Sequence, residues 1–485
     1  AVAAAPPKAP AMPALAGDAA PLSLEQERLS FLDQLAPDSS GYNIATAVFL
    51  DGELDRDALR RSLETIVARH GVLRARYPRR DGARVQEIVA PALAASAFTL
   101  DDEAAADDAA ALARAHAEAR RPFDLERGPV LRARTIRVRA DRHLLTLVVH
   151  HIAADGWSMG VMVRELSAAY GALVAGRAPH LPALPLQYAD FAARQRQWLD
   201  SPAAAPALAY WQERLAGAPP LVALPSDRPR PSVRQFAGAR APFALGAAAT
   251  DGLKRLAAAD GATLYMTLLA GFAALVRQRS GRADLVFGTD VSGREQPDAQ
   301  RLIGLFVNQL VMRIDASGDP TFRELVGRVR ATALGAYRHG RLPLDRVVQL
   351  VNPARDPSYN PLFQLMFVLE SAPLPDLELP RLRLQTVELD DGGSPFDLSL
   401  LLAERSGQLG GALRYDTALF DAATIVALGD DYAALLAAAA ARPELRLSDL
   451  DGVLAAQAAQ RREHDAEQLR KSRRDRFAGL KRSDS

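Results

Sequence analysis

The chain has 485 residues, 49% of them hydrophobic, with 59 Lys and Arg against 58 Asp and Glu and no Cys. This excludes a disordered chain and a disulfide-stapled scaffold, and with no thiol it excludes Cys nucleophiles, CxxC redox pairs, iron–sulfur clusters and Cys-ligated zinc. A formal charge of +1 supplies no global field for gripping phosphate backbones, so no nucleic-acid partner is expected.

Residues 1–20 are nearly all Ala and Pro and read as an extended, semi-rigid linker. Pro6, Pro7, Pro10 and Pro13 break up any apolar signal region, so a cytoplasmic location is expected. No Met opens the chain, which therefore reads as a piece of a longer polypeptide. Asn43–Leu50 reads as a strand and Leu54–His70 as a helix, with Leu59, Leu63, Ile66 and Val67 on one face and Gly71 as its stop. Val72–Tyr77 and Arg84–Val89 form a hairpin around Arg79-Arg80-Asp81-Gly82. Val130–Val138 and His143–Ile152 form a second, and a helix over Ser158–Ala175 follows. After a helix around Trp211, the Pro-dense crossing at Pro219, Pro220, Pro225, Pro229 and Pro231 marks a lobe boundary.

The second half predicts helices at about 247–260 and 263–279 and from Phe322 to Tyr337, with strands at Leu285–Gly288, Val307–Ile314, Phe363–Leu369 and Gly410–Tyr415. The last helix ends around Ala441. Mixed strands and helices in both halves predict two α/β sandwiches, an N-terminal lobe over 21–200 and a C-terminal lobe over 201–454. A charged tail, 455–485, carries Arg470, Lys471, Arg473, Arg474 and Arg476 and reads as a solvated helical linker. The longest strongly apolar stretch, Leu264 to Val276, falls short of the ~18 residues of a membrane span, so no membrane partner is expected.

At the end of the apolar strand Leu144–Val149 the chain reads His150-His151-Ile152-Ala153-Ala154-Asp155-Gly156. Composition alone produces H-H-x-x-x-D-G in on the order of one chain in two thousand of this length. Side chains alternate across a strand, so one imidazole faces a cavity while the other is structural. A neutral imidazole at the wet end of such a strand can accept a proton. For a lone His the commoner reading is a satisfied core residue, but Asp and Gly at fixed offsets reverse that preference. A metal site is not expected, because His151 and Asp155 lack a third ligand at usual spacing.

Gly156-Trp157-Ser158-Met159-Gly160 also matches the G-x-S-x-G nucleophile elbow, which would make Ser158 a hydrolase nucleophile. That pattern arises by chance in roughly one chain in ten, and its strand should run straight into the first Gly. Ser158 therefore reads as a helix N-cap. The remaining histidines have ordinary readings: His70 at a helix end, His116 on a polar helix, His143 at a strand start, His180 in a Pro-rich loop, His339 and His464 on charged segments. No phosphate-binding glycine loop appears, so a nucleotide cofactor has no support, and Asp101-Asp102-Glu103 reads as solvated surface between elements.

With these residues in hand, the chain resembles the condensation domain of nonribosomal peptide synthetases, in the chloramphenicol acetyltransferase-like superfamily, over about Leu22 to Leu454. Besides His150–Gly156, the resemblance rests on Ser23-Leu24-Glu25-Gln26-Glu27-Arg28-Leu29, on Arg69-His70 with Leu73-Arg74, and on Tyr188-Ala189-Asp190-Phe191 with Gln195. It continues in Ile303-Gly304-Leu305-Phe306-Val307-Asn308-Gln309 with Arg313, and in Arg355-Asp356-Pro357-Ser358-Tyr359-Asn360-Pro361-Leu362. The sequence departs from the family at Ser30, where Trp is common, and at His339-Gly340-Arg341-Leu342-Pro343-Leu344-Asp345, a degraded H-Q-D-x-P-F-E.

The resemblance implies two acetyltransferase-like lobes meeting in a V, with a tunnel between them. It implies amide formation between an upstream carrier-bound acyl or peptidyl thioester and the amine of a downstream carrier-bound aminoacyl thioester. Both substrates would ride on 4'-phosphopantetheine, no cofactor would be bound by the domain itself, and an adenylation domain would be a neighbour. His151 takes the catalytic position, as base or as the group that holds the amine. His150 belongs to the same motif, Asp155 would pair with Arg294 of Ser292-Gly293-Arg294, and Gly156 would leave room for the acceptor. Trp157, Ser158, Asn308 and Arg355 are further motif or tunnel positions. Gly156-Trp157-Ser158 and Arg164-Glu165-Leu166 are similar to the subtype that takes L-configured donors. Epimerisation domains share the motif and a non-catalytic recruiting domain shares the fold, so both stand as alternatives beside the Ser158 hydrolase. Heterocyclisation domains carry carboxylates in place of the two histidines, which sets that reading aside.

Overall fold

The computed structural model describes residues 19–35, 39–80, 82–370, 377–387, 389, 392–405, 407–463 and 467. These fall into two units. The first takes the described residues of Ala1–Ala205, Ser292–Asn308 and Leu374–Asp391, and the second those of Pro206–Val291, Gln309–Pro373 and Gly392–Ser485. Two stretches expected in the C-terminal lobe, around 292–308 and 374–391, thus group with the first unit, because their partners lie there.

The elements of the first unit begin with helix α1 (Leu24–Leu35), strand β1 (Asn43–Gly52) and helix α2 (Arg56–Arg69). Strand β2 (Thr99–Ala104), helix α3 (Asp108–Ala119), strands β3 (Leu131–Arg139) and β4 (Arg142–His150), and helices α4 (Gly156–Val174) and α5 (Tyr188–Leu199) follow. The second unit contains α6 (Ala205–Leu215), β5 (Gly238–Leu245), α7 (Ala247–Ala259), α8 (Leu264–Ser280), β6 (Asp284–Val291), β7 (Asn308–Asp315), α9 (Phe322–Arg338), α10 (Leu344–Val351) and β8 (Leu365–Glu370). The chain then supplies β9 (Leu382–Val387) to the first unit before β10 (Leu398–Arg405), β11 (Gln408–Asp416) and α11 (Ala422–Ala441) complete the second.

Alternation along β1 sets up the first unit. Ala47 and Phe49 join Leu144, Ile136 and the Ala111, Ala115 and Ala119 stripe of α3 on one face. Val48 and Leu50 point the other way, to a core built with Leu59, Leu63 and Ile66 of α2 and Met162 and Leu166 of α4. The sheet order is β9-β1-β4-β3-β2, with β2 parallel to β3 and the other pairs antiparallel. In the second unit the order is β5-β11-β10-β8-β6-β7. There α8 is buried on nearly every side, with Phe272 against Phe287, Phe367 and Tyr432. Helix α11 is long and apolar enough to cross a membrane by length and composition. It carries Asp431 in its middle, fully buried and paired with Arg279 and Arg461, and packs as a core helix of this unit.

Four sequence expectations change. Ala19–Ala20 is a short strand paired with Gln86–Glu87, not linker, while residues 1–18 lie outside the described residues. Helix α2 stops before His70, which is extended and forms the cap, so Gly71 is not the stop. Asp101-Asp102-Glu103 belongs to edge strand β2, where Arg134 of the neighbouring strand β3 and Arg56 at the start of α2 pair with it. A further helix covers 447–463, so the last helix does not end around Ala441, whereas His464 and the basic cluster at Arg470, Lys471, Arg473, Arg474 and Arg476 fall outside the described residues, as does Asp81 of the first hairpin turn.

Candidate active site

Strand β4 does not simply end at the two histidines. His150 N–H donates to Val130 O (2.9 Å) and His151 N–H to Tyr42 O (2.8 Å), so the residues leading into both flanking strands grip the chain as it leaves the sheet. Two tight turns follow, Ala153 N–H to His150 O (2.9 Å) and Ala154 N–H to His151 O (3.3 Å). From α1, Gln26 Nε2 donates to Ile152 O (3.0 Å) and to the Tyr77 hydroxyl (3.2 Å), holding the loop's middle. Asp155 is extended and caps α4, accepting from Ser158 N–H (2.8 Å). The N-cap is therefore Asp155, and Ser158 sits inside the first turn, because Gly156 already has helical geometry.

The two imidazoles have different surroundings. His150 shares the parity of Leu144, the face that α3 covers, and is 4% exposed. Its Nδ1 accepts from Ile152 N–H (3.0 Å), and its ring meets Phe123 edge-on at 5.8 Å between centroids. Burial, with His151 and Arg132 nearby, pushes its pKa down to about 3. His151 is only partly buried. Its Nδ1 is shut away from solvent with no hydrogen-bond partner among the described residues. Burial lowers its pKa, and the Asp155 carboxylate and the backbone at His151 and Ala154 oppose that. The ring is thus neutral near pH 7 with a lone pair available.

The hydrogen bonds of Asp155 go to groups other than the two imidazoles. Its Oδ1 accepts from Ser158 N–H, from Ser158 Oγ (2.7 Å) and from Arg294 Nη2 (2.9 Å), while Oδ2 accepts from Phe306 N–H (3.0 Å). Arg294 is 3% exposed, donates through Nη1 to the carbonyls of Ala299 (2.6 Å) and Leu302 (2.7 Å), and stacks on Phe306 at 4.1 Å. The turn that delivers it needs Gly293: φ is +62° and a Cβ would sit 2.0 Å from Phe306 O.

Ser158 Oγ meets Asp155, Arg294 Nη2 (2.8 Å) and both backbone groups of Gly304, with no imidazole among its partners. It has no base and is fully buried, so the hydrolase reading loses its nucleophile. Gly156 is exposed, and a Cβ there would meet nothing within 4 Å. Trp157 is 38% exposed and donates to Gln300 O (2.9 Å). Asn308 is buried at the start of β7, and Arg355 is an exposed residue of the second unit. Among the described residues no group of three or more His, Asp or Glu could hold a metal ion.

Sequence reasoning missed the residues that hold this arrangement from outside: Gln26, His70, Glu165 and Tyr188. Each sits in a stretch that carries the family resemblance, but its partner lies far along the chain, 126 residues away for Gln26 and Ile152 and 233 for His70 and Ile303.

The mixed sheets with a histidine at a strand end fit the chloramphenicol acetyltransferase-like fold. The family model described as Condensation domain matches residues 16–460, and the chain belongs to that family, the condensation domains of nonribosomal peptide synthetases. A linear gramicidin synthase polypeptide from Brevibacillus parabrevis is 46% identical over 428 residues, which is 87% of this chain and 6% of that protein. The chain thus spans a small fraction of the curated relatives it matches. The X-domain from teicoplanin biosynthesis superposes with a TM-score of 0.84 at 30% identity, covering 91% of this chain and 99% of that one, and a related structure holds this X-domain in complex with OxyB. A four-domain nonribosomal peptide synthetase bound to AMP and glycine superposes at 0.80 with 25% identity, over 89% of this chain and 34% of that one.

Proposed function

We propose that this domain joins an acyl or peptidyl thioester on one carrier domain to the amine of an aminoacyl thioester on another. Both would be presented on 4'-phosphopantetheine arms, in a cytoplasmic multidomain synthetase with an adenylation domain as neighbour. The amine nitrogen attacks the thioester carbonyl carbon, the C–N bond forms, the C–S bond breaks, and the donor thiol leaves. The amine loses one proton, which His151 would accept through Nε2 and return to the departing sulfur. His150 cannot share this task, since its Nδ1 lone pair is committed to Ile152 N–H.

The observation that carries this reading is the asymmetry of the pair, one ring buried and committed to the backbone and one residue only partly buried at the strand end. Gly156 fits it as a position whose empty side the protein itself does not need, and Gly156-Trp157-Ser158 supports an L-configured donor. Asp155 and Arg294 support the loop and do not touch substrate.

The test is amide formation from two loaded carrier proteins by wild type and by His151→Ala. A loss of ~10²- to 10⁴-fold is expected, and equal rates would overturn the assignment. The complex of the teicoplanin X-domain with OxyB favours a second reading, a recruiting domain that docks a partner enzyme. Absence of product from the wild type with every loaded pair, together with stable binding of a partner enzyme, would establish it.

A further inference from the structure

We infer that His70, which the chemistry above does not use, is a positioning residue for the reaction, acting through the segment Ile303–Phe306. The inference rests on the amide-forming reading. His70 is 1% exposed and follows the last residue of α2. Its Nε2 lies 2.9 Å from Glu165 Oε2 on α4, and Ile303 N–H donates to its Nδ1 (3.3 Å). An imidazole used this way donates on one side and accepts on the other, so its tautomer is set by Glu165. The other oxygen of Glu165 accepts from Arg69 Nε (2.8 Å), so the carboxylate is held from two directions.

The segment on the far side of His70 is clasped at four successive residues. Ile303 N–H goes to His70, Gly304 N–H to Ser158 Oγ (3.1 Å), Leu305 O accepts from the Tyr188 hydroxyl (2.7 Å), and Phe306 N–H goes to Asp155 Oδ2. Gly304 leaves no slack, since a Cβ there would sit 2.1 Å from the Tyr188 ring. Two of the four clasps are to Asp155 and Ser158, the residues that start α4 immediately after the His151 loop. A shift of Ile303 is therefore passed to the cap of α4 and to the loop carrying the working imidazole. Apolar packing alone would not need an imidazole at this position. A group with a donor and an acceptor on opposite edges is what the two neighbours require.

The experiment separates the two edges. Asn places its Oδ1 where His has Nδ1, and Gln places its Nε2 where His has Nε2. His70→Asn keeps the acceptor for Ile303 N–H, and His70→Gln keeps the donor to Glu165. Amide formation from loaded carriers, with kcat and KM resolved, is measured beside hydrogen exchange of the 303–306 and 151–156 amides.

For His70→Asn the expectation is kcat within about threefold of wild type and intact protection at 303–306. For His70→Gln it is a loss of kcat of about tenfold or more at nearly constant KM, with faster exchange in both segments. Tyr188→Phe, which removes another clasp on the same segment, is expected to move kcat and exchange in the same direction. Wild-type kcat and protection in His70→Gln, or equal losses in the Asn and Gln variants, would overturn the inference. If the wild type forms no amide, the amide-forming reading fails by itself. The exchange comparison then still decides whether His70 holds the segment.

Discussion

His150 and His151 are the same side chain in consecutive positions, and their environments divide the work. One is buried against Phe123 with its Nδ1 used by the backbone, and the other is only partly buried. Because folding lowers the His150 pKa, the unfolded chain takes up a proton that the folded chain refuses between the ordinary value of 6.5 and about 3. Stability held above that window is lost as the pH falls through it. Urea unfolding across this range should show the free energy of unfolding dropping with pH. His150→Asn, which keeps an acceptor for Ile152 N–H and cannot be protonated, should flatten the slope. The H-H-x-x-x-D-G spacing made this pair visible in the sequence. It did not say which ring was committed, because that depends on Ile152, Phe123 and α3.

At the scale of elements, the cap of α4 is where the sequence reading and the structure diverge most usefully. Ser158 has the right residue type and place for an N-cap, and local preference alone selects it. Asp155 takes the role because a carboxylate there can satisfy the first turn and Arg294 together, and the helix gains a turn-start at Gly156. The pair is buried on both sides, so removing one partner strands the other's charge. Asp155→Ala and Arg294→Ala are each expected to lower the unfolding free energy by about 3–5 kcal/mol, less than additively when combined, as read from denaturation of the two single variants and the double variant. Strands such as β2, β5, β9 and β10 were not legible beforehand. The run Asp101-Asp102-Glu103 in β2 and the Gly-, Ala- and Pro-bearing β5 obscure the period-two pattern, and only sheet neighbours identify these two.

For the whole molecule, the first unit is not a continuous piece of chain. Its edge strand β9 pairs with β1 from Leu382↔Gly52 to Val387↔Ala47, and its Arg294 arrives from a stretch 139 residues beyond Asp155. A fragment of residues 19–205 would lack both, leaving an open sheet edge on β1 and an unpaired Asp155 carboxylate. Such a fragment is expected to show no cooperative thermal unfolding by calorimetry, whereas the full chain should. A sharp transition in the fragment would show that the two later segments are dispensable.

The sequence alone determined what is written in consecutive residues: the helix and strand periods of most elements, the absence of thiol chemistry, and a histidine pair with Asp and Gly at meaningful offsets. Tertiary structure decided everything that joins distant residues. It chose Asp155 over Ser158 as the cap, buried His150 more deeply than His151, and gave His70 its two partners. The reason is physical: periodicity and spacing are local properties of the chain. Contacts such as those of Asp155 with Arg294 and His70 with Ile303 exist only once residues 139 and 233 positions apart have been brought out of water together.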